Sequence, residues 1–414
     1  MPRKPGRRAL PSTAMAGITV YGAPWCPSCR RAKKFLAEQR TAYEWVDIDQ
    51  NREALSRVEA IQNGGRTIPT IVFDDGAVLV NPSDEEIARK LGLSLETKRP
   101  MYDLGIVGGG PAGLAAAIYA AREGITAVVV DRGGLGGQAG VSGRVDNYPG
   151  FPEGIGGGDL ADRFIAQARR YGVELVGAVG VDALSSDGED SCMHLSIKKE
   201  VAAHAILLAP GSTYKRLGVP GEDELIGAGV HFCATCDGPF YRGADELLVI
   251  GGGNSALEEG LFLTHFASRV RLVVRGPELS GSSLLVDRVT SDDRIVVDLD
   301  TEVVELRGNG RLSSVIVRTA GQEREVHPAA AFVFIGMTPN SDFLRGSVHL
   351  DDRGFILTDE AFRTSRNGVY AAGDARRGST KQLASAVGEG VAALIAIRSY
   401  LRAHGHICTV EVED

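Results

Sequence analysis

Apolar and polar positions fall into two rhythms along the chain. From residue 17 to about 95 the segments are short and mixed. Ile18-Thr19-Val20-Tyr21 reads as a strand, Arg31–Gln39 as a helix and Tyr43–Ile48 as a second strand. Arg52–Ala60 reads as a polar helix, and Thr70–Phe73 as a third strand turned back at Asp75-Gly76. Ser83 is placed to cap a last helix ending at Leu91. Leu95–Pro100 is short and charged, a linker of only ~20 Å when extended. Beyond it one pattern occurs twice. Strand Asp103–Val107 leads into Gly108-Gly109-Gly110-Pro111-Ala112-Gly113, an Ala-rich helix to Arg122 and a strand Ala127–Val130. Strand Leu247–Ile250 leads into Gly251-Gly252-Gly253-Asn254-Ser255-Ala256, a helix to Phe266 and a strand Arg271–Val274. Each glycine turn permits tight reversal and brings a pyrophosphate close to a helix N-terminus. Two such turns, each in strand–turn–helix context, imply two dinucleotides on one α/β chain. Val391–Tyr400, apolar at helical spacing, reads as a core helix.

Composition narrows the classes. The chain has 414 residues, 43% hydrophobic and 24% charged. That suits two to four domains at roughly 100–200 residues each and excludes wholesale disorder. No uninterrupted apolar run approaches the ~18 residues of a membrane span, so none is expected. A net charge of −8 argues against nucleic acid as a partner. The 53 glycines are nearly twice the usual ~7% share, and they gather in loops without a repeat. This excludes collagen and points to backbone packed against ligands. Residues 1–16 carry Arg3, Lys4, Arg7 and Arg8 with no apolar core behind them. They read as a disordered tail rather than a secretory signal, with initiation at Met15 an open alternative, and a cytoplasmic location is expected.

Six cysteines are too few for a disulfide scaffold. Four form CxxC pairs, Cys26/Cys29 and Cys233/Cys236, which read as redox or metal sites. Zinc at the second pair would need two more Cys or His ligands at matched spacing. His231 is too near in sequence and no other pair lies close, so redox is expected and a metal is not. Two thiols three apart at a helix start close a tight disulfide, and Asp237 is a candidate general acid for the leaving thiolate. Cys26 follows a strand and precedes a helix whose N-terminus stabilises its thiolate, and Cys29 is placed to resolve a mixed disulfide. Pro69 opens a strand opposite that pair, where a cis bond would let flanking backbone meet an extended thiol substrate. Cys192, near His194 in a Ser/Asp-rich hairpin, has no carboxylate partner in view and reads as structural. Cys408, after His404 and His406, reads as part of a mobile terminus, with a metal-binding tail conceivable.

The two nucleotide turns lead to different residues at the end of the next strand. Asp131 ends the second strand of the first unit, where an acid accepts hydrogen bonds from both ribose hydroxyls; a solvated strand-end carboxylate is the bland alternative. The matching position in the second unit is Val274, followed by Arg275, which suits a 2′-phosphate.

Gly108–Gly113, Gly136-Gly137-Gln138, Asn147-Tyr148-Pro149-Gly150, Cys233–Gly238 and Ala371-Ala372-Gly373-Asp374 occur in this order. Together they resemble a low-molecular-weight thioredoxin reductase over nearly all of residues 101–402. The resemblance implies FAD lined by Gly108, Gly110, Pro111, Gly113, Asp131, Gly137, Gln138, Asn147, Asp374, Gln382 and Ala384. It implies a nicotinamide nucleotide at Gly251, Gly253, Asn254, Ser255 and Ala256, a nucleotide domain that rotates between half-reactions, and a homodimer. That family reads the 2′-phosphate with His-Arg-Arg and a further arginine. Val274-Arg275-Gly276-Pro277 and Ser280 leave one arginine of the three. At ~1.5–3 kcal/mol for each charge-assisted contact, NADPH is expected with weakened selectivity and NADH is possible.

The N-terminal part resembles a glutaredoxin, nearest the mycoredoxin branch on Gly64–Pro69 and Asn81-Pro82-Ser83. The expected order is a tail over 1–16, a glutaredoxin domain of thioredoxin-like fold over 17–94 and a linker over 95–100. The FAD domain follows in two parts, 101–214 and 341–402. They flank an NAD(P)-binding domain over 215–340 that carries the redox CxxC, and 403–414 form a second tail. The expected activity is a flavin-dependent disulfide reductase. Electrons from NAD(P)H pass through FAD and Cys233/Cys236 to Cys26/Cys29, and on to mycothiol- or glutathione-type mixed disulfides or a thioredoxin-like protein. The alternatives are a reductase of separate thioredoxin with an independent glutaredoxin domain, and a ferredoxin-driven or sensor flavoprotein.

Overall fold

The computed structural model describes residues 17–141, 145, 147–187 and 190–407. Strand β1 (Ile18–Gly22) is followed at once by helix α1 (Pro27–Glu38). The helix starts a turn earlier than expected because Pro27, lacking an N–H, is suited to its first turn. Strand β2 (Glu44–Asp47), helix α2 (Arg52–Ile61), strands β3 (Thr70–Phe73) and β4 (Val78–Val80) and helix α3 (Asp84–Lys90) complete the first body. Its sheet order is β2-β1-β3-β4, with β1 parallel to β2 and antiparallel to β3. Ser83 and Glu86 form a reciprocal capping box on α3.

The second body begins with β5 (Met101–Val107), α4 (Pro111–Arg122), β6 (Ala127–Val130), α5 (Gly137–Val141), α6 (Gly157–Arg170) and β7 (Glu174–Val176). A hairpin, β8 (Val181–Asp187) and β9 (Asp190–Leu195), leads to β10 (Glu200–Leu208). The chain then leaves through β11 (Ser212–Tyr214) into α7 (Glu222–Leu225), β12 (Val230–His231) and α8 (Ala234–Asp237). The second glycine unit follows as β13 (Ala244–Ile250), α9 (Asn254–Leu263), β14 (Ala267–Val273), α10 (Ser283–Thr290) and β15 (Ile295–Asp298). Its helix stops at Leu263, short of the expected Phe266. A three-stranded sheet, β16 (Thr301–Gly308), β17 (Leu312–Thr319) and β18 (Gln322–Val326), precedes β19 (Ala331–Val333). The chain returns through β20 (Met337–Pro339), which pairs with β11, and ends in β21 (Val369–Ala371) and α11 (Leu383–Ala403).

Both glycine units therefore sit in parallel sheets, β7-β6-β5-β10 and β12-β19-β13-β14-β15, joined by the narrow β11/β20 ribbon. The strands of the first are apolar on both faces, as Val128, Val129 and Val130 show, because α4, α6 and α11 cover one side and the β8–β9 hairpin with Leu344, Val348 and Ile356 covers the other. Alanines on α4 let α11 approach closely: a Cβ on Gly390 would lie 2.1 Å from the Ala112 carbonyl oxygen. Helix α11 has 21 residues and is apolar enough, by length and composition, to cross a membrane, which a search for uninterrupted apolar runs does not detect. Here Ala393, Leu394, Ile397 and Leu401 pack into the core around α4. Cys192 also departs from expectation. It is buried in β9, with Sγ 3.8 Å from a Glu200 carboxylate oxygen, so it does have a carboxylate partner, brought diagonally across by the β9–β10 pairing, in which Glu200 stands opposite His194. Cys408 and residues 1–16 lie outside the described residues.

Candidate active site

The first glycine turn forms a cradle that side chains would fill. A Cβ on Gly108 would lie 2.1 Å from the Ala209 carbonyl oxygen, and one on Gly113 2.0 Å from that of Gly108. Gly110 caps α4 and Pro111 opens it, so the helix N-terminus faces the turn. Gly137 lies beside Gly110, with its would-be Cβ 3.1 Å from the Gly110 Cα. Asp131 accepts the Gly109 N–H at 2.5 Å and the Gly133 N–H at 2.8 Å. Burial pushes its carboxyl up, and these two N–H groups oppose that.

The distant segments meet at the other end. The Gln138 side chain donates to the Ser212 carbonyl, and the Ser212 hydroxyl donates to the Asp374 carbonyl at 2.6 Å. Asn147 Nδ2 is 3.2 Å from Gln382 Oε1, and Gln382 caps α11, whose second residue is the exposed Ala384. Among the described residues the buried Asp374 Oδ1 has no hydrogen-bond partner, and burial raises the pKa of Asp374 against the pull of Lys381. A buried acceptor facing no donor, beside a glycine cradle, suits the hydroxyl-bearing chain of a flavin nucleotide. These residues therefore fit FAD.

Cys233 and Cys236 are joined as a disulfide. Cys233 caps α8, and its Sγ accepts the Cys236 N–H at 3.2 Å. Asn147 Nδ2 lies 4.0 Å from Cys236 Sγ, so the disulfide faces the flavin domain. Asp237 Oδ1 is 3.4 Å from His231 Nδ1, and His231 Nε2 is 2.7 Å from the Tyr241 hydroxyl. His231 is buried and holds the candidate acid in place, a role its sequence position did not suggest. Glu259 was also missed. Its carboxylate accepts the Ala234 N–H at the start of α8, and burial followed by the charge of Glu258 raises its pKa. Tyr214 stacks on Phe232 with ring centroids 5.1 Å apart, and its pKa is pushed up to about 12 by burial and then by the charges of Asp374, Asp237 and Glu259.

The second glycine turn is also formed, with Gly251 in the left-handed region and Gly253 capping α9. Asn254 and Ser255 are exposed and Ala256 is buried. Asn254 Oδ1 accepts the Ser282 N–H at 2.7 Å, and the Gly252 carbonyl accepts that of Ser280 at 2.8 Å. Val274 is buried, whereas Arg275 is exposed at the rim.

The other CxxC repeats the local geometry of the first in reduced form. Cys26 caps α1, and its Sγ accepts the Cys29 N–H at 3.2 Å. The Ile68–Pro69 peptide is cis, and Cys26 Sγ lies 3.8 Å from the Ile68 carbonyl oxygen. Cys29 is fully buried, and burial with the neighbouring Cys26 pushes its thiol up to about 12. Cys26 is only 5% exposed, while the adjacent Trp25 is 67% exposed. Among the described residues, Asp190, His204 and His406 bring ligand-type atoms within 4.8 Å of one another. His204 already bonds Asp190 at 2.7 Å and stacks on the His406 ring.

A family model described as pyridine nucleotide-disulphide oxidoreductase matches residues 102–390. The chain belongs to that family. A glutaredoxin model matches residues 18–78, so a glutaredoxin domain precedes the oxidoreductase. A thioredoxin reductase of Bacillus subtilis is 37% identical over 308 residues, covering 74% of this chain and 96% of its own. One from Mycolicibacterium smegmatis is 38% identical over 310 residues, covering 74% and 99%. The crystal structure of the Streptococcus pyogenes thioredoxin reductase superimposes with a TM-score of 0.70 at 35% identity, covering 73% of this chain and 99% of that one. The chain is thus a thioredoxin-reductase-type disulfide oxidoreductase, with an α/β thioredoxin-like domain ahead of its two Rossmann-type units.

Proposed function

We propose that this oxidoreductase relays electrons from a reduced nicotinamide nucleotide, by way of FAD and Cys233/Cys236, to its own Cys26/Cys29. From there they pass to a mixed disulfide of a small thiol of the mycothiol or glutathione type. The observation that carries the reading is the repeated redox geometry. In both pairs the first sulfur caps a helix and accepts the N–H of the second at 3.2 Å.

FAD, held by the Gly108–Gly113 turn, Asp131, Asn147 and Asp374, would supply the two electrons that open the disulfide. Asp237, oriented by His231, holds the proton that one departing sulfur takes up. The Cys233/Cys236 dithiol then exchanges with a Cys26–Cys29 disulfide. One S–S bond breaks as another forms, and two thiol protons pass across. Cys26 next attacks the outside disulfide, releasing one thiol and leaving the other bound to its sulfur. Cys29 then gives up its proton and attacks Cys26 Sγ, which restores the Cys26–Cys29 bond and releases the second thiol. The NADPH pyrophosphate is assigned to the N-terminus of α9, with Arg275 meeting the 2′-phosphate and NADH accepted more weakly.

The deciding experiment is Cys26→Ser in the full chain, assayed with NADPH against mixed disulfides and against free thioredoxin. Loss of mixed-disulfide reduction with unchanged flavin reduction supports the relay. Full retention of mixed-disulfide reduction overturns it. Selective survival of thioredoxin reduction would identify a separate thioredoxin-like protein as a second client of Cys233/Cys236.

A further inference from the structure

The carboxyl end of α1 is seated on the flavin domain in a groove made by glycines. A Cβ on Gly134 would lie 1.7 Å from the Glu38 carbonyl oxygen, a backbone atom that has no rotamer to yield. The Arg40 side chain runs past Gly140 and Gly158, its Cδ 3.8 and 3.9 Å from where their Cβ atoms would stand. Gln39 Nε2 donates to the Gly133 carbonyl at 2.9 Å, and Arg40 Nη1 donates to the Gly158 carbonyl at 2.9 Å. Arg40 also pairs with Asp162 on α6 at 2.8 Å.

This groove is part of the cofactor loop. Gly133, whose carbonyl Gln39 binds, gives its N–H to Asp131, the candidate ribose acid. The loop then runs to Gly137 and Gln138. Glu38 enters the same corner: its Oε2 would be 3.2 Å and Asp131 Oδ1 3.6 Å from a Cβ on Gly133. The other Glu38 oxygen turns toward Lys34, 3.7 Å away. Two carboxylates facing one corner repel, and Asp131 contributes to raising the Glu38 pKa, after burial. A vicinal diol entering that corner offers two O–H donors to these two acceptors.

We propose that the glutaredoxin domain is a wall of the flavin site. Glu38 joins Asp131 at the adenosine ribose of FAD, and the Glu38–Arg40 seat closes that end, so that cofactor release requires the domain to lift away. This rests on the assignment of FAD to the first glycine turn but not on electron relay to Cys26.

The test uses the full-length oxidised holoprotein and two readouts, the rate of FAD release on dilution followed by flavin fluorescence, and domain separation by small-angle X-ray scattering. Arg40→Glu breaks the seat from the glutaredoxin side, and Asp162→Arg added to it restores the pair with reversed charges. Gly134→Ala places a methyl against the Glu38 carbonyl, and its backbone is not in the left-handed region. Arg40→Glu and Gly134→Ala are expected to expand the particle and release FAD about tenfold faster, the equivalent of one charge-assisted hydrogen bond. The double charge reversal should recover part of that loss, leaving release about threefold faster than the parent, because a carboxylate at position 40 cannot donate to the Gly158 carbonyl. An expanded particle that releases FAD at the parent rate would overturn the proposal. So would a Gly134→Ala protein that stays docked, because the seat has no room for the methyl.

Discussion

Replacing Glu389 by alanine should cost this protein more than any exposed substitution nearby, and the loss should appear in flavin retention. Glu389 on α11 accepts Arg376 Nη2 at 2.8 Å and Nε at 3.1 Å, and also the Gly373 N–H at 2.8 Å. The two side chains are only 12% and 18% exposed. Truncation leaves the Arg376 charge without its bidentate partner and the N–H before Asp374 without an acceptor. Breaking one side of a buried pair costs roughly 3–5 kcal/mol. Arg376 keeps bonds to Thr358 and the Arg377 carbonyl, which lowers that to about 2 kcal/mol, and the orphaned N–H adds about 1 kcal/mol. A net loss of about 3 kcal/mol is expected for Glu389→Ala, and about half of that for Glu389→Gln, which keeps an acceptor for Gly373. The assay is urea denaturation of the holoprotein, read by flavin fluorescence for release and by far-UV circular dichroism for unfolding. Release should move to lower urea than global unfolding, because the defect sits at the turn that aims Asp374. An alanine variant within about 0.5 kcal/mol of the parent, with full flavin content, would show that Glu389 does not support that turn.

Three further outcomes are expected from the geometry. In the reduced enzyme Cys29 should resist iodoacetamide at pH 8 because its thiol is pushed up to about 12; mass mapping that finds it alkylated as fast as Cys26 would contradict this. A folded pKa above the ordinary thiol value of 9.0 means that the native state binds the extra proton between the two values. The stabilisation from Cys29 is therefore full below pH 9 and is lost as pH rises toward 12, so the melting temperature of the reduced protein should fall across that window. Arg275→Ala should raise KM for NADPH about fivefold and leave NADH within twofold, since an exposed ionic contact is worth about 1 kcal/mol; equal effects on both nucleotides would remove Arg275 from the 2′-phosphate site. Gly113→Ala puts a methyl 2.0 Å from the Gly108 carbonyl oxygen and should yield colourless protein, which an absorption spectrum checks.

What could be read from the sequence was whatever chemistry leaves in local spacing. The glycine turns at 108–113 and 251–256 were legible because close backbone approach tolerates no Cβ, and the CxxC pairs because a disulfide across one helical turn needs that interval. His231, Glu259 and Glu389 were not. Each acts through a partner that the fold brings near, and none stands in a motif that would mark it. The carboxylate beside Cys192 was invisible for the same reason, since strand register alone places Glu200 there. The seat of Glu38 on Gly134 depends on the shapes of two domains at once, and no single segment encodes it.

The restraints on the three bodies are unequal, and this decides which of them has to move. The glutaredoxin domain is held at two places. Its α1 end is seated through Gln39 and Arg40, and its linker is pinned where the Lys98 N–H meets Glu174, the Arg99 N–H meets the Tyr102 hydroxyl, and Glu96 pairs with Lys199. Leu95, the first residue of that linker, is buried. The nucleotide domain is joined to the flavin domain along β11 and β20, a ribbon of three residue pairs with Asn340 bonded to the Pro210 carbonyl at its end. Its disulfide rests on the flavin side, where Cys236 Sγ lies 4.0 Å from Asn147 Nδ2. Turning that ribbon breaks few bonds, whereas lifting the glutaredoxin domain breaks an ion pair, several hydrogen bonds and a buried leucine contact. The proposed relay therefore has the nucleotide domain carry Cys233 and Cys236 toward a largely stationary Cys26, while the glutaredoxin domain stays on the flavin site it closes.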